Sequence, residues 1–249
     1  MEVEAGRETV GAGMTPGPRA ARPASEVGHE VLSATGRAAQ LTVPPELAEL
    51  ASTGTAEQIR ALPDLDALAG VVAGCTRCPL HETRTQSVFG EGNRNADVVC
   101  VGEAPGANED RTGRPFVGRA GKLLDRLLLS VGFPRETVYI CNVLKSRPPN
   151  NRDPLPEEIA ACAPFMLRQL ELIAPKVIIA LGAFAARELL ETRSSLGSMR
   201  GRLHDYRGFP VVVTYHPAAL LRNPAWTRRT WEDFQLVRRF VDGEEVTRG

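Results

Sequence analysis

Cys75-Thr-Arg-Cys78 sets two thiols at a spacing that suits metal or redox chemistry in an intracellular chain. Other residues of reactive type stand among glycines and prolines further on. "GEAPGANEDRTGRPFVG" (102–118) brings Glu103, Ala104, Glu109, Asp110 and Phe116 into one short stretch. Its glycines let backbone approach a ligand, but it matches neither G-x-x-x-x-G-K-[ST] nor G-x-G-x-x-G, which argues against a nucleotide cofactor. Asn142 can donate and accept at once, matching the adjacent acceptor and donor of a pyrimidine edge. His216, fixed by Pro217, offers a ring nitrogen. Taken singly, each reads equally as a capping carboxylate, a core aromatic, a turn asparagine or a satisfied loop histidine.

Four apolar, β-branched runs must hold these residues: "DVVCVG" (97–102), "VYICNV" (138–143), "KVIIALG" (176–182) and "FPVVVTY" (209–215). Between them "RAGKLLDRLLLSVGF", "LPEEIAACAPFMLRQLELIAP" and "AFAARELLETR" carry a helical period. Strand alternating with helix predicts an α/β fold, a parallel sheet covered on both faces. Ligands bind such sheets beyond the carboxyl ends of the strands, which selects "GEAPG", "NVLKSRPP", "LGAFA" and "HPAALLRNP". Upstream, Asp64 is placed to cap a short helix that delivers the chain to Cys75.

The 249 residues are 43% hydrophobic, enough for a substantial core, and formally neutral, so a strongly basic nucleic-acid binder is not indicated. The cations nevertheless gather in loop-like segments: Arg111, Arg114, Arg119 and Lys122; Lys145, Arg147 and Arg152; Arg222, Arg228 and Arg229. Such clusters furnish a phosphate groove, although each alone also reads as solvated surface charge. Residues 1–55, rich in Gly, Ala, Pro, Ser, Glu and Arg and without an aromatic, are expected to be a disordered tail before a domain over 56–245. There is no apolar run of about 20 residues and no signal-peptide core. The expectation is a soluble, cytoplasmic monomer.

The order GEAPG-x₂-ED-x₂-GRPFVG-x-AG, then N-V-x-K-x-RPP-x-NRDP-x-PEE, then T-Y-HP-x-ALLRNP closely resembles the family 4, iron–sulfur uracil-DNA glycosylases, over about Cys75 to Phe240. The resemblance implies a three-layer α/β/α fold around a four-stranded parallel sheet. It implies uracil-containing DNA as substrate and hydrolysis of the N-glycosidic bond, leaving an abasic site. Carried over motif by motif, Phe116 would stack on the flipped base, and Asn142 would pair with O4 and N3–H. Glu109 would exclude the thymine methyl, with Ala104 beside it in the pocket. His216 would donate to uracil O2, and Glu103 would position or deprotonate water. Lys145, Arg147, Arg152 and Arg222 would face DNA phosphates, and Leu220 or Leu221 would fill the gap left by the base.

The resemblance also implies a [4Fe-4S] cluster on four cysteines. Cys75, Cys78 and Cys162 match three of the positions, while Ser146, in "KSRPP", takes the other. Serine is a hard and very weak acid, hence a poor though possible iron ligand. Cys141, five residues upstream and about 17 Å away on an extended chain, is an unsuitable substitute. Three readings follow: a cluster whose fourth iron takes Ser146, water or another group, a labile cluster that degrades to a three-iron form, or no cluster at all. The favoured expectation is a bound cluster less stable than usual, purely structural, that does not touch the uracil pocket. A non-catalytic or redox-sensing DNA-binding relative is the alternative, opposed by the joint presence of Glu103, Asn142 and His216. A branch that attaches covalently to its product through a loop histidine is disfavoured, because no histidine follows Lys145 in that segment.

Overall fold

The computed structural model describes residues 45–249. The expected tail therefore lies outside the described residues as far as residue 44, and its last part is helical. Helix α1 (Pro45–Thr53) buries Ala51, so ordered chain begins before residue 56. Helices α2 (Ala56–Arg60) and α3 (Leu65–Ala73) start at caps legible in the sequence. Thr55 and Gln58 form a reciprocal capping box, and Asp64 accepts from the Asp66 and Ala67 N–H groups as expected.

The sheet has six strands in the order β1-β3-β2-β4-β6-β5. They are β1 (Glu91–Gly92), β2 (Val98–Gly102), β3 (Tyr139–Asn142), β4 (Val177–Leu181), β5 (Leu203–Tyr206) and β6 (Phe209–Thr214). The four apolar runs are β2, β3, β4 and β6, adjacent and mutually parallel. The expected four-stranded, all-parallel sheet needs correction, because β1 and β5 add an antiparallel strand at each edge and make the sheet mixed. Neither edge strand has the apolar run of a strand buried on both faces. β1 is only two residues long, and β5 reads "LHDY", with two polar residues between its buried ends. The β5–β6 turn passes through Arg207 and Gly208, both at positive φ, as a tight hairpin turn requires.

Each face of the sheet packs against helices. Val99, Val101, Ile178 and Ala180 join a core with α3, α6 (Pro156–Ile173) and α7 (Ala183–Leu190). Val98, Cys100, Ile179 and Val212 join another with α5 (Arg119–Ser130) and α10 (Thr227–Val241). The alternation along each strand is what buries both faces. Three further helices, α4 (Ala107–Thr112), α8 (Leu196–Met199) and α9 (Pro217–Arg222), lie in connections. Thus "GANEDRT" and "HPAALLR", read as loops, are largely helical. No helix among the described residues is long and apolar enough to cross a membrane.

Candidate active site

Register brings the reactive residues together. Gly102 pairs with Asn142 at the ends of β2 and β3, and Leu181 pairs with Thr214 at the ends of β4 and β6, two residues before His216. Beyond these ends lies a cavity of about 370 Å³. Glu103, Ala104, Glu109, Phe116, Asn142 and His216, all six expected pocket residues, line it.

Asn142 is buried at 2% exposure, and its Oδ1 has no hydrogen-bond partner among the described residues. A buried acceptor left unpaired costs about 1–3 kcal/mol, so this orphan is a group prepared for a ligand donor. Gly102 makes the arrangement possible: a Cβ there would stand 2.3 Å from Asn142 Oδ1 and 2.7 Å from the Phe116 ring. Sequence reading passed over this glycine as one of several.

The Phe116 ring centroid lies 5.6 Å from that of His216, and the Phe116 backbone is left-handed at φ 51°. A non-glycine residue held there marks a constrained conformation. Glu109 fixes the same turn, since its Oε1 accepts from the Val117 and Gly118 N–H groups at 2.9 and 3.0 Å. One carboxylate oxygen is thereby anchored, which makes Glu109 a stiff wall of the cavity.

His216 caps α9: its Nδ1 accepts from the Ala218 N–H at 3.1 Å. Nδ1 is therefore the unprotonated nitrogen, and in the neutral ring Nε2 carries the hydrogen. Burial, and then the Arg222 cation, pull its pKa down to about 4. Gly182, at φ 95°, lets the histidine pack closely, as a Cβ there would meet His216 Cβ at 2.9 Å. Burial and, secondly, Asp153 push the Glu103 carboxyl above its ordinary range.

The expected DNA-facing residues divide. Lys145 is buried at 2%, with Nζ donating to Asn142 O at 2.7 Å and Gln169 Oε1 at 2.6 Å. It braces the end of β3 from inside the protein and, being buried, does not stand where a phosphate could meet it, which corrects its expected DNA-facing position. Arg152 lines the cavity mouth but is bound by both guanidinium nitrogens to Glu158, itself 1% exposed, so its charge is already balanced. Arg147 donates to the neutral Asn151, and Arg222 is exposed at the end of α9. Neither has an ionic partner among the described residues. Of the two leucines, Leu220 is core and Leu221 is 38% exposed.

Cys75, Cys78 and Cys162 lie within electrostatic reach of one another, and burial pushes the Cys162 thiol up to about 11. Ser146 is buried, and its Oγ accepts from Arg84 Nη1 at 2.9 Å. Among the described residues no group of three His, Cys, Asp or Glu side chains is arranged to hold a single metal ion. A cluster asks for less convergence, because each iron takes its own thiolate. The cysteine region also touches the pocket, contrary to expectation. Ala104, in the cavity wall, packs against the small cluster of Leu80, Leu144 and Cys162, as Cys78 also does, and the Lys145 backbone N–H donates to the Cys162 sulfur.

Residues 89–235 match the family model described as the uracil DNA glycosylase superfamily. The type-4 uracil-DNA glycosylase of Thermotoga maritima is 51% identical over 177 residues, covering 70% of this chain and 92% of that protein. That of Archaeoglobus fulgidus is 44% identical over 181 residues, covering 70% and 91%. A type-5 uracil-DNA glycosylase of Pyrobaculum aerophilum is more distant, at 29% over 188 residues, 62% of this chain and 83% of the relative. With more than half of the chain matched by the family model and nearly the full length of the type-4 relatives covered, the chain belongs to the uracil DNA glycosylase superfamily and, within it, to the type-4 group.

Proposed function

We propose that the protein is a DNA-repair uracil-DNA glycosylase that draws uracil out of the stack and hydrolyses its N-glycosidic bond, leaving an abasic site. The observation that carries this reading is the orphaned Oδ1 of Asn142, a residue that lines one cavity with Phe116 and His216. Uracil N3–H supplies the missing donor and its O4 accepts from the Asn142 amide. Cytosine, with its donor and acceptor reversed, meets two clashes of polarity. Phe116 stacks on the base, and the anchored Glu109 closes the space that a thymine methyl would need. As the bond breaks, negative charge grows on the base, and neutral His216 donates from Nε2 to O2. Positive charge grows on the sugar, and Glu103 holds the attacking water on that side. Leu221 enters the gap while Arg147 and Arg222 take phosphates.

The test is a single-uracil oligonucleotide, treated with alkali after incubation. Strand cleavage at the uracil is expected; intact strand with undiminished DNA binding would leave only a binding protein. Glu103 adds a pH signature. Its ionised form is the active one and its pKa is raised, so the rate falls with acidification at a pH above the 4.5 of an ordinary glutamate. The limb disappears in Glu103→Gln, whose residual rate is flat across that range.

Cys75, Cys78 and Cys162 would hold an iron–sulfur cluster, with Ser146 at the remaining corner and Arg84 hydrogen-bonded to its hydroxyl. Bound there, the cluster supplies a structural tie between the segment around Cys75 and α6. Three soft thiolates beside one hard, engaged hydroxyl suit a cluster that loses iron readily. Wild-type protein should lose iron faster in air than Ser146→Cys, measured as iron and acid-labile sulfide per chain. Equal retention by the two would count against a weak corner at Ser146. No two of the five cysteines are joined in a disulfide, in keeping with a cytoplasmic protein.

A further inference from the structure

We infer that Arg135, backed by Glu91 and Asp125, is the positioning residue for the Phe116 ring. This rests on the reading that Phe116 stacks on the extruded base. Arg135 opens the 3₁₀ turn Arg135–Thr137 that leads into β3, and its guanidinium is only 22% exposed. All five of its N–H donors are engaged. Nη2 donates to Pro115 O at 2.7 Å and Glu91 Oε1 at 2.6 Å. Nη1 donates to Phe116 O at 3.3 Å and Asp125 Oδ1 at 2.7 Å, and Nε reaches Glu91 Oε1 at 3.2 Å.

The two carbonyls so held belong to the turn that carries the ring. Phe116 is in the left-handed region, and its carbonyl is pressed against α5 so closely that a Cβ on Gly121 would stand 1.7 Å from it. A turn held against its own preference needs an external brace. Glu91 makes that brace part of the sheet: it sits on β1, opposite Ile140 of β3, the strand that ends in Asn142. Its other oxygen is held by Arg114 at 2.7 Å. Ring and reading amide are thus fixed to a common frame, and β1 has a purpose beyond closing the sheet edge.

Arg135→Lys is the sharper test, because lysine keeps a cation for Glu91 and Asp125 but has one nitrogen and cannot span four acceptors. Three quantities are compared in wild type, Arg135→Lys, Arg135→Met, Phe116→Ala and Phe116→Ala/Arg135→Lys: single-turnover uracil release, inhibition by free uracil, and affinity for uracil-free DNA of the same sequence. Arg135→Lys should slow release and weaken uracil inhibition by about 10-fold, within the roughly 5- to 150-fold that a full base–aromatic stack supplies. Affinity for uracil-free DNA should be unchanged, and the lysine should add nothing in the Phe116→Ala background. Wild-type behaviour of Arg135→Lys, or a full additional loss in the double variant, would overturn the inference. If Arg135→Met does not fold, Arg135→Lys decides alone. Should Phe116→Ala itself retain wild-type release and inhibition, the stacking role fails first, and that outcome is distinct from either of the others.

Discussion

His216→Ala lowers uracil release at saturating DNA by about 10²–10³-fold, the loss that follows removal of one preorganised donor to a developing anion. KM should change little, because the hydrogen bond strengthens as charge accumulates on the base. Alanine also removes the cap of α9, a loss of about 1 kcal/mol, and α9 carries Leu221 and Arg222. His216→Asn separates the two effects, since asparagine caps well but is too short to reach O2. It should be as slow as the alanine variant and bind uracil-free DNA like the wild type. The same imidazole leaves a mark on stability. Its pKa is about 4 folded against 6.5 ordinarily, so between those values the unfolded chain takes up a proton that the folded protein refuses. Stability contributed at this position is therefore complete above pH 6.5 and is lost as the pH falls toward 4. Urea unfolding at pH 7 and pH 5 should show a smaller loss for His216→Ala than for wild type. An equal loss would mean that residue 216 titrates alike in both states.

Asn142→Ala should cost about 10²–10³-fold in kcat/KM, as two hydrogen bonds to the base disappear and its polar edge is buried unpaired. Stability should move the other way or stay level. The wild-type acceptor is buried without a partner, a penalty of about 1–3 kcal/mol that alanine removes, and the space vacated opens into an existing cavity. Urea midpoint and single-turnover rate, measured on the same preparation, check both halves. A variant that is both slow and strongly destabilised would make Asn142 a structural residue and weaken its role in reading the base.

The four central strands were legible because full burial demands continuous β-branched apolar runs, and no other element explains "VVCVG", "YICN", "VIIAL" and "FPVVVT" as well. The six pocket residues were legible once motif order supplied what single residues could not. The edge strands β1 and β5 were not, since an edge needs only partial burial and carries no periodic signature at these lengths. Helix α10 went unread for a related reason: "TRRTWEDFQLVRRFV" is dominated by its charged face, with Phe234, Leu236 and Val237 turned inward.

Lys145 shows where reading by residue type fails. A lysine in a loop among arginines looks like a phosphate contact, but its side-chain direction depends on Gln169 of α6, 24 residues away, which offers it an acceptor inside the protein. Arg152 failed likewise, because a buried partner, Glu158, stands one helical turn into α6. Arg135 stands outside the cation clusters visible in the sequence, and only the folded chain brings Pro115, Phe116, Asp125 and Glu91 around it. By itself the sequence determined the kinds of groups available, the parallel frame and the order in which its motifs reach the strand ends, all of which follow from local patterns of apolarity and spacing. Only the tertiary structure decided which cations are already engaged, how deeply His216 is buried and what holds Phe116 in a left-handed turn, because these depend on groups that only the folded chain brings together, several of them remote in sequence, and on water being excluded between them.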